Sequence, residues 1–163
     1  MSQQLLFALH DAPQGLIFER DFISETEEGE LLGFVRELRF KEFSMHGVTA
    51  RRRVVHFGRQ YSFASRSVAA ATPIPPALAV LAQRAAPLGG IAPEDFVQAL
   101  VNEYRPGAGI GWHRDAPPFG IVAGISLGAP CRMRFQRGSG PDRETFSLDL
   151  PATVDLLACG GDP

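Results

Sequence analysis

The fold is decided by the stretch Asn102-Glu-Tyr104-Arg-Pro-Gly107-Ala-Gly109-Ile-Gly111-Trp112-His113-Arg-Asp115. In an extended segment, residues two apart project to the same face. Asn102 and Tyr104 therefore form one same-face pair, and His113 and Asp115 form another. The glycines between the pairs permit close approach of the backbone. The pattern predicts two extended segments, each with two polar side chains on one face.

The pair His113 and Asp115 is a candidate set of metal ligands. An imidazole and a carboxylate can occupy adjacent positions on an octahedral metal, which is two thirds of the 2-His-1-carboxylate triad of non-haem Fe(II). An isolated His-x-Asp is more often a surface histidine beside a turn aspartate, but the glycines and Trp112 favour the metal interpretation. No histidine follows Asp115. The earlier histidines have no spacing typical of a third ligand: His10, His46 and His56.

Composition limits the class of protein. A chain of 163 residues and 17.7 kDa predicts one domain with a substantial core. A net charge of -2 argues against a binder of bulk polyanions and leaves a local basic patch open. Cys131 and Cys159 are far apart in the sequence, which predicts reduced thiols. With no bilayer-length apolar run and no signal peptide, the sequence predicts a cytoplasmic protein without membrane association.

Two helices are predicted in the first half of the chain. Ser24-Glu-Thr-Glu27 is a capping box, and apolar residues at helical spacing follow it to Leu38. A second helix is predicted from Pro75 or Pro76 to about Gly90. Short apolar runs at Leu5–Phe7 and Leu16–Phe18 suit early strands.

The second half predicts strands separated by glycine and proline. These features favour an α+β fold, a sandwich or jelly roll with the two N-terminal helices packed on it, over a doubly wound α/β fold. We divide the single domain 1–163 into an N-terminal part, about 1–95, and a β-rich part, about 96–163. The predicted strands are Phe96–Tyr104, Ile121–Leu127, Arg132–Phe135, Thr145–Leu150 and Thr153–Leu157.

From about Arg51 to Leu157 the chain resembles the AlkB family of Fe(II)- and 2-oxoglutarate-dependent dioxygenases. The family motifs Asn-x-Tyr, Gly-x-x-Ile-Gly-x-His-x-Asp and Ile/Val-x-x-x-Ser-Leu-Gly are matched in order, the last by Ile121–Gly128. The resemblance implies a double-stranded β-helix. It also implies that His113 and Asp115 bind Fe(II), and that Asn102 and Tyr104 contact the cosubstrate 2-oxoglutarate.

The upstream segment 51–63 resembles the family's nucleotide-recognition segment, which makes it the candidate substrate-recognition region. Aromatic rings can stack on an extruded base while arginines hold phosphates. The alternatives are that Phe57 and Phe63 are core residues and that Arg51–Arg53 is an exposed loop, which is slightly favoured for the arginines. The residues assigned to substrate binding are Arg53, Phe57, Tyr61, Phe63 and Trp112.

The resemblance implies oxidative demethylation of alkylated DNA or RNA bases. Two departures bear on this expectation. Ala116-Pro117-Pro118 stands where family members that repair bases often carry acidic residues. The family's distal histidine, its 2-oxoglutarate-binding arginine and its last two strands have no counterpart before Pro163, so we expect a C-terminally truncated domain. The alternatives are a catalytically impaired nucleic-acid-binding module and a protein hydroxylase with the same metal chemistry. Nothing in the sequence indicates an oligomeric state.

Overall fold

The computed structural model describes residues 13–45, 48–62, 67–70, 72–114, 120–138, 140–151 and 156–160. The chain forms two compact units, one made of Met1–Leu32 with Gly120–Pro163 and the other of Gly33–Phe119. In chain order the described elements are β1 (Leu16–Glu19), α1 (Glu25–Arg36), β2 (Lys41–Met45), β3 (Val48–Ser62), β4 (Ser67–Ala70), α2 (Pro76–Gly89), β5 (Gln98–Tyr104), β6 (Ile121–Ile125), β7 (Cys131–Arg137), β8 (Glu144–Leu150) and β9 (Leu156–Gly160), with short 3-10 helices at Pro93–Asp95 and Gly140–Asp142.

Both predicted helices are confirmed, and local signals explain their ends. The capping box at α1 is formed in both directions: the Glu27 carboxylate accepts from the Ser24 N–H at 2.7 Å, and the Ser24 hydroxyl accepts from the Glu27 N–H at 3.3 Å. Helix α2 begins at Pro76 and ends at Gly89, and its C-cap residue Gly90 adopts φ 65°. Within the described ranges, neither helix is long and apolar enough to cross a membrane.

The unit formed by the chain ends is a small β sandwich. Strands β1, β9 and β6 form one antiparallel sheet in that order, and β7 pairs with β8 in the second. Leu148 and Leu150 of β8 are buried and pack against Leu16 and Phe18 of β1, so the two sheets meet face to face. The strands predicted in this region are confirmed with ends shifted by up to two residues at β6, β7 and β8. Leu5–Phe7 and most of Thr153–Leu157 lie outside the described residues.

The unit of residues 33–119 is organised around β3, a strand of 15 residues. It pairs antiparallel with β2, β4 and β5. Strands β2, β3 and β4 were not among the predicted strands, so the first half of the chain is richer in sheet than predicted. The reason is that the polar residues of β3 are stabilised by partners on β5, about fifty residues later, which no local pattern reveals. The β3–β5 ladder joins residues from both sides of position 95. The division of the domain into an N-terminal part, about 1–95, and a β-rich part, about 96–163, stays a prediction.

Gly58 marks the point where β3 exchanges one partner for another. The register with β5 ends at Gly58↔Gln98, and the register with β4 begins at Arg59↔Ala70. Gly58 has φ 79°, and a Cβ at this position would lie 2.4 Å from the Val97 carbonyl oxygen. Only glycine fits this conformation and this close contact. The glycine of the aromatic-Gly dipeptide is therefore a structural requirement of the strand.

Candidate functional site

The antiparallel register of β3 and β5 divides their side chains between two faces. Pairs directly opposite one another project to the same side, and successive pairs alternate. We call the side that carries the pairs Arg52↔Tyr104, Val54↔Asn102 and His56↔Leu100 the Asn102 face. We call the side that carries Arg53↔Glu103, Val55↔Val101 and Phe57↔Ala99 the Glu103 face.

The Asn102 face holds both residues predicted to contact 2-oxoglutarate. Asn102 is half-buried and Tyr104 is exposed, and they share this face as the spacing predicted. Arg52 Nη1 donates a hydrogen bond to Asn102 Oδ1 at 2.8 Å. A guanidinium can only donate, so the atom turned toward Arg52 must be the amide oxygen. The Asn102 NH2 group therefore supplies the donors of this side chain.

His56 lies on the same face and is held in its neutral form. Its Nδ1 is buried and has no hydrogen-bond partner among the described residues. Burial lowers the pKa of His56 below its ordinary value, and the positive charge of Arg52 lowers it further. The Asn102 face thus combines a cation, an amide, a phenol and a neutral imidazole.

The Glu103 face is built around an ion pair. Arg53 binds the Glu103 carboxylate through both Nε and Nη2, the latter at 2.8 Å from Oε1, and its guanidinium lies 5.5 Å from the Phe40 ring centroid. The hydrogen bond from Arg53 lowers the pKa of Glu103 below its usual range. Phe57 is buried, with 6% of its surface exposed. A buried ring is typical of core packing, and the substrate roles of Arg53 and Phe57 stay predictions.

The segment after β5 carries the predicted metal ligand His113. A turn bonds the Ala108 N–H to the Arg105 carbonyl at 2.8 Å, with Gly107 at φ 77°. A Cβ at Gly109 or Gly111 would meet no described atom within 4 Å, so a close approach does not explain these two glycines in the part of the chain that the structure describes. His113 is exposed, and its Nδ1 lies 2.8 Å from the Gly111 carbonyl oxygen.

This hydrogen bond orients the imidazole as a metal ligand requires. A carbonyl oxygen only accepts, so Nδ1 carries the proton and the lone pair of the neutral ring is on Nε2. Metal-binding histidines usually donate their second N–H to a carbonyl or carboxylate in this way. The donor chemistry of His113 therefore fits Fe(II). Within the described ranges no group of three or more His, Cys, Asp or Glu residues is assembled.

Three predicted site residues have side chains beyond the described part of the structure. Asp115 and Phe63 lie outside the described residues, and Tyr61 is described only as backbone of β3, opposite Val68. Their roles stay predictions. Trp112 is described and exposes 53% of its surface.

Arg52 is the residue of this site that the sequence analysis missed. The exposed loop that we favoured for Arg51–Arg53 is wrong, because all three residues lie in β3, and Arg52 and Arg53 pair with Tyr104 and Glu103 of β5. Part of the signal was present in the sequence, although the pairing with partners on β5 was not. Alternation along an extended Arg-Arg-Arg-Val-Val-His run would have sent Arg52 and Arg53 to opposite faces.

Comparison with known proteins gives a family match and related sequences. The family model described as the 2OG-Fe(II) oxygenase superfamily matches residues 28–162. The tRNA (carboxymethyluridine(34)-5-O)-methyltransferase alkbh8 of Xenopus tropicalis is 29% identical over 153 residues, which cover 91% of this chain and 24% of that protein. The Mus musculus protein of the same name, ALKBH8, is 28% identical over 165 residues, with 93% and 23% covered.

The comparison with solved structures concerns the fold alone. The structure of OsALKBH1 matches with a TM-score of 0.68 at 15% sequence identity, covering 92% of this chain and 81% of that chain. This match supports the predicted fold type at the level of an α+β chain with antiparallel sheets. The chain spans about a quarter of the length of the two relatives that it matches by sequence.

Proposed function

The chain belongs to the 2OG-Fe(II) oxygenase superfamily and is AlkB-like, and on this premise we propose that it is a dioxygenase domain that oxidatively demethylates alkylated nucleic acid. The proposed reaction hydroxylates an N-methyl group of a base, and the product then releases formaldehyde. Fe(II), when bound with 2-oxoglutarate, would supply the oxidising chemistry by using dioxygen: one oxygen atom would enter the methyl group, and the other would enter the succinate that forms from 2-oxoglutarate with loss of CO2. The protein binds and orients these groups and the substrate.

The observation that carries this proposal is the hydrogen bond from His113 Nδ1 to the Gly111 carbonyl. It leaves Nε2 as the donor atom for iron, and Asp115 would supply the carboxylate of the pair. On β5, the Asn102 NH2 group and the Tyr104 hydroxyl would donate to 2-oxoglutarate.

We propose RNA as the first substrate class to test. The two relatives matched by sequence are named for action on a uridine of tRNA. They are about four times longer than this chain, so their methyl-transfer activity is not carried over. Trp112, half of whose surface is exposed, suits stacking on a base, which contributes roughly 1–3 kcal/mol. Arg53, Phe57, Tyr61 and Phe63 are retained as proposed contacts to the nucleic acid.

Calorimetry with Mn(II), an inert substitute for Fe(II), tests the binding step. We expect Mn(II) to bind. We also expect 2-oxoglutarate to bind more tightly in its presence, because the cosubstrate would itself be a ligand of the metal. His113→Ala should weaken Mn(II) binding at least about tenfold, whereas the control His10→Ala removes a histidine without changing it. Mn(II) binding that is equal in the two variants would refute the assigned ligand.

Release of succinate identifies the substrate class. The Fe(II)-loaded protein is incubated with 2-oxoglutarate and with N-methylated RNA, N-methylated DNA, their unmethylated counterparts or a protein extract. Stimulation by methylated RNA supports the proposal. Stimulation by protein extract alone would instead indicate a protein hydroxylase. Nucleic-acid binding without metal binding or succinate would indicate a catalytically impaired module.

A further inference from the structure

Building on the proposed function, we propose that Arg52 is a positioning residue for the cosubstrate: it fixes the Asn102 carboxamide so that the NH2 group, and not the oxygen, is presented to a carboxylate of 2-oxoglutarate. Neither the motif pattern nor the family match assigns a role to Arg52. The inference depends on the contact between β3 and β5 and not on residue type alone.

The geometry links Arg52 to Asn102 directly. Arg52 stands opposite Tyr104 in the ladder, and the next pair on the same face is Val54↔Asn102. Arg52 and Asn102 are therefore diagonal neighbours, a spacing that long side chains bridge. The Nη1–Oδ1 distance of 2.8 Å is that of a charge-assisted hydrogen bond. Both side chains are half-buried, so water competes weakly for this bond.

The chemistry of the amide explains why such a contact matters. A carboxamide has a donor end and an acceptor end of nearly the same shape, and a half-turn exchanges them. Toward a carboxylate, the NH2 end attracts and the oxygen repels. Because a guanidinium has no acceptor, it binds only the oxygen end. Arg52 thereby selects the orientation in which Asn102 donates to an anion before the anion arrives.

The neighbouring arginine shows that this role is specific to position 52. Arg53 projects to the opposite face and binds the Glu103 carboxylate through two nitrogens. Arg59, later on the same strand, pairs with Ala70 of β4 and lies beyond the last pair of the β3–β5 register, Gly58↔Gln98, at the end of the ladder opposite to Arg52. Arg59→Met is therefore a matched control, since it makes the same chemical change on the same strand.

A double-mutant cycle tests the inference by calorimetric titration of 2-oxoglutarate into Mn(II)-loaded protein. Arg52→Met should raise the Kd for 2-oxoglutarate about tenfold, because one oriented hydrogen bond to a charged ligand is weakened. In the Asn102→Ala background the same change should alter the Kd less than about twofold, because Arg52 has no amide left to orient. Arg52→Lys, which keeps a donor, should restore most of the affinity. Arg59→Met should bind like the wild type.

A second readout needs neither metal nor cosubstrate. The side-chain NH2 resonances of Asn102, identified by their loss in Asn102→Ala, should shift in Arg52→Met and remain in place in Arg59→Met. If Arg52→Met does not fold, as judged by circular dichroism, Arg52→Gln replaces it.

The outcomes separate the inference from the function on which it rests. Unchanged 2-oxoglutarate affinity in Arg52→Met, with binding intact in the wild type, overturns the inference alone. Equal losses with and without Asn102 also overturn it, since Arg52 would then contact the ligand directly. A wild-type protein that binds Mn(II) but no 2-oxoglutarate overturns the proposed function and the inference together.

Discussion

The two faces of the β3–β5 ladder use neighbouring residues for different purposes. On the Glu103 face, Arg53 meets a carboxylate and Phe57 is buried, so charge and apolar surface are both matched within the protein. On the Asn102 face, Arg52 meets a neutral amide, and Tyr104 and Leu100 are exposed. The same strands thus carry a face whose charged pair is satisfied within the protein and a face whose polar groups are suited to a ligand, although Val54 on the Asn102 face is as buried as Phe57.

The difference teaches that residue type alone does not separate structural from functional positions in this chain. Arg52 and Arg53 are adjacent and chemically identical. The register with β5 places Glu103 beside Arg53 and Asn102 beside Arg52. Substitution of Phe57 or Glu103 should therefore change stability, and substitution of Arg52 or Asn102 should change binding of 2-oxoglutarate.

Truncation of the buried aromatic ring should give the largest effect. Phe57→Ala should lower the free energy of unfolding by about 3–5 kcal/mol, through lost burial and the cavity left behind. Leu100→Ala, on the Asn102 face and 39% exposed, should cost no more than about 1 kcal/mol. Urea unfolding followed by circular dichroism measures both. Equal losses would show that the two faces are equally part of the core.

Substitution by alanine should affect stability differently at two glycines of the sequence motifs, Gly58 and Gly109. Gly58→Ala should destabilise the protein by at least about 2 kcal/mol, because alanine is strained at φ 79° and its Cβ would overlap the Val97 carbonyl. Gly109→Ala, with no described atom within 4 Å of the added Cβ and no positive φ, should change stability by less than about 1 kcal/mol. Thermal unfolding of the two variants provides the comparison. A tolerant Gly58 would mean that the exchange of strand partners does not depend on glycine.

Two substitutions at neighbouring positions of β5 test most directly whether one face binds the cosubstrate and the other stabilises the fold. Asn102→Ala should raise the Kd for 2-oxoglutarate between about 10-fold and 100-fold, since a hydrogen bond to a charged ligand is lost. Glu103→Gln, one residue away, should lower the urea midpoint at neutral pH and leave that Kd within about twofold, because its partner Arg53 is on the other face. The contrast fails if both variants lose affinity to the same extent.

The elements predicted from the sequence are those whose signals are local. The capping box at Ser24 and the proline at Pro76 act within one helical turn, and both helices begin where these residues predict. The Asn102–Tyr104 pair was also predicted correctly, because period-2 alternation needs no knowledge of the partner strand.

The features that were missed depend on long-range pairing. Strand β3 carries three consecutive arginines, which resemble a solvated loop until β5 supplies Asn102 and Glu103 to bind two of them. The register that decides which arginine meets which residue is a property of the sheet. The predicted pairing of His113 with Asp115 remains to be tested, since Asp115 lies outside the described residues.

The pH dependence of stability should differ between the faces. On the Asn102 face, the pKa of His56 is lowered by burial and by Arg52. The unfolded histidine takes up a proton near its ordinary pKa of about 6.5, while the folded one does so only at lower pH. The unfolded state therefore binds more protons in this window, and stability falls as the pH decreases below about 6.5. On the Glu103 face, the pKa of Glu103 is lowered chiefly by its hydrogen bond from Arg53, so its contribution is present above about pH 4.3 and is lost as the pH falls through the folded value.

Urea midpoints measured between about pH 7 and pH 3 should separate these two windows. His56→Gln, which does not titrate, should flatten the decline that begins near pH 6.5 and leave the acidic limb unchanged. Glu103→Gln should flatten the acidic limb and leave the decline that begins near pH 6.5 unchanged. Because both groups are only partly buried, each change should be small compared with the loss in Phe57→Ala. A His56→Gln profile parallel to that of the wild type throughout would mean that this imidazole is protonated as readily in the folded protein as in the unfolded chain, and that the Asn102 face is more hydrated than its buried Nδ1 indicates.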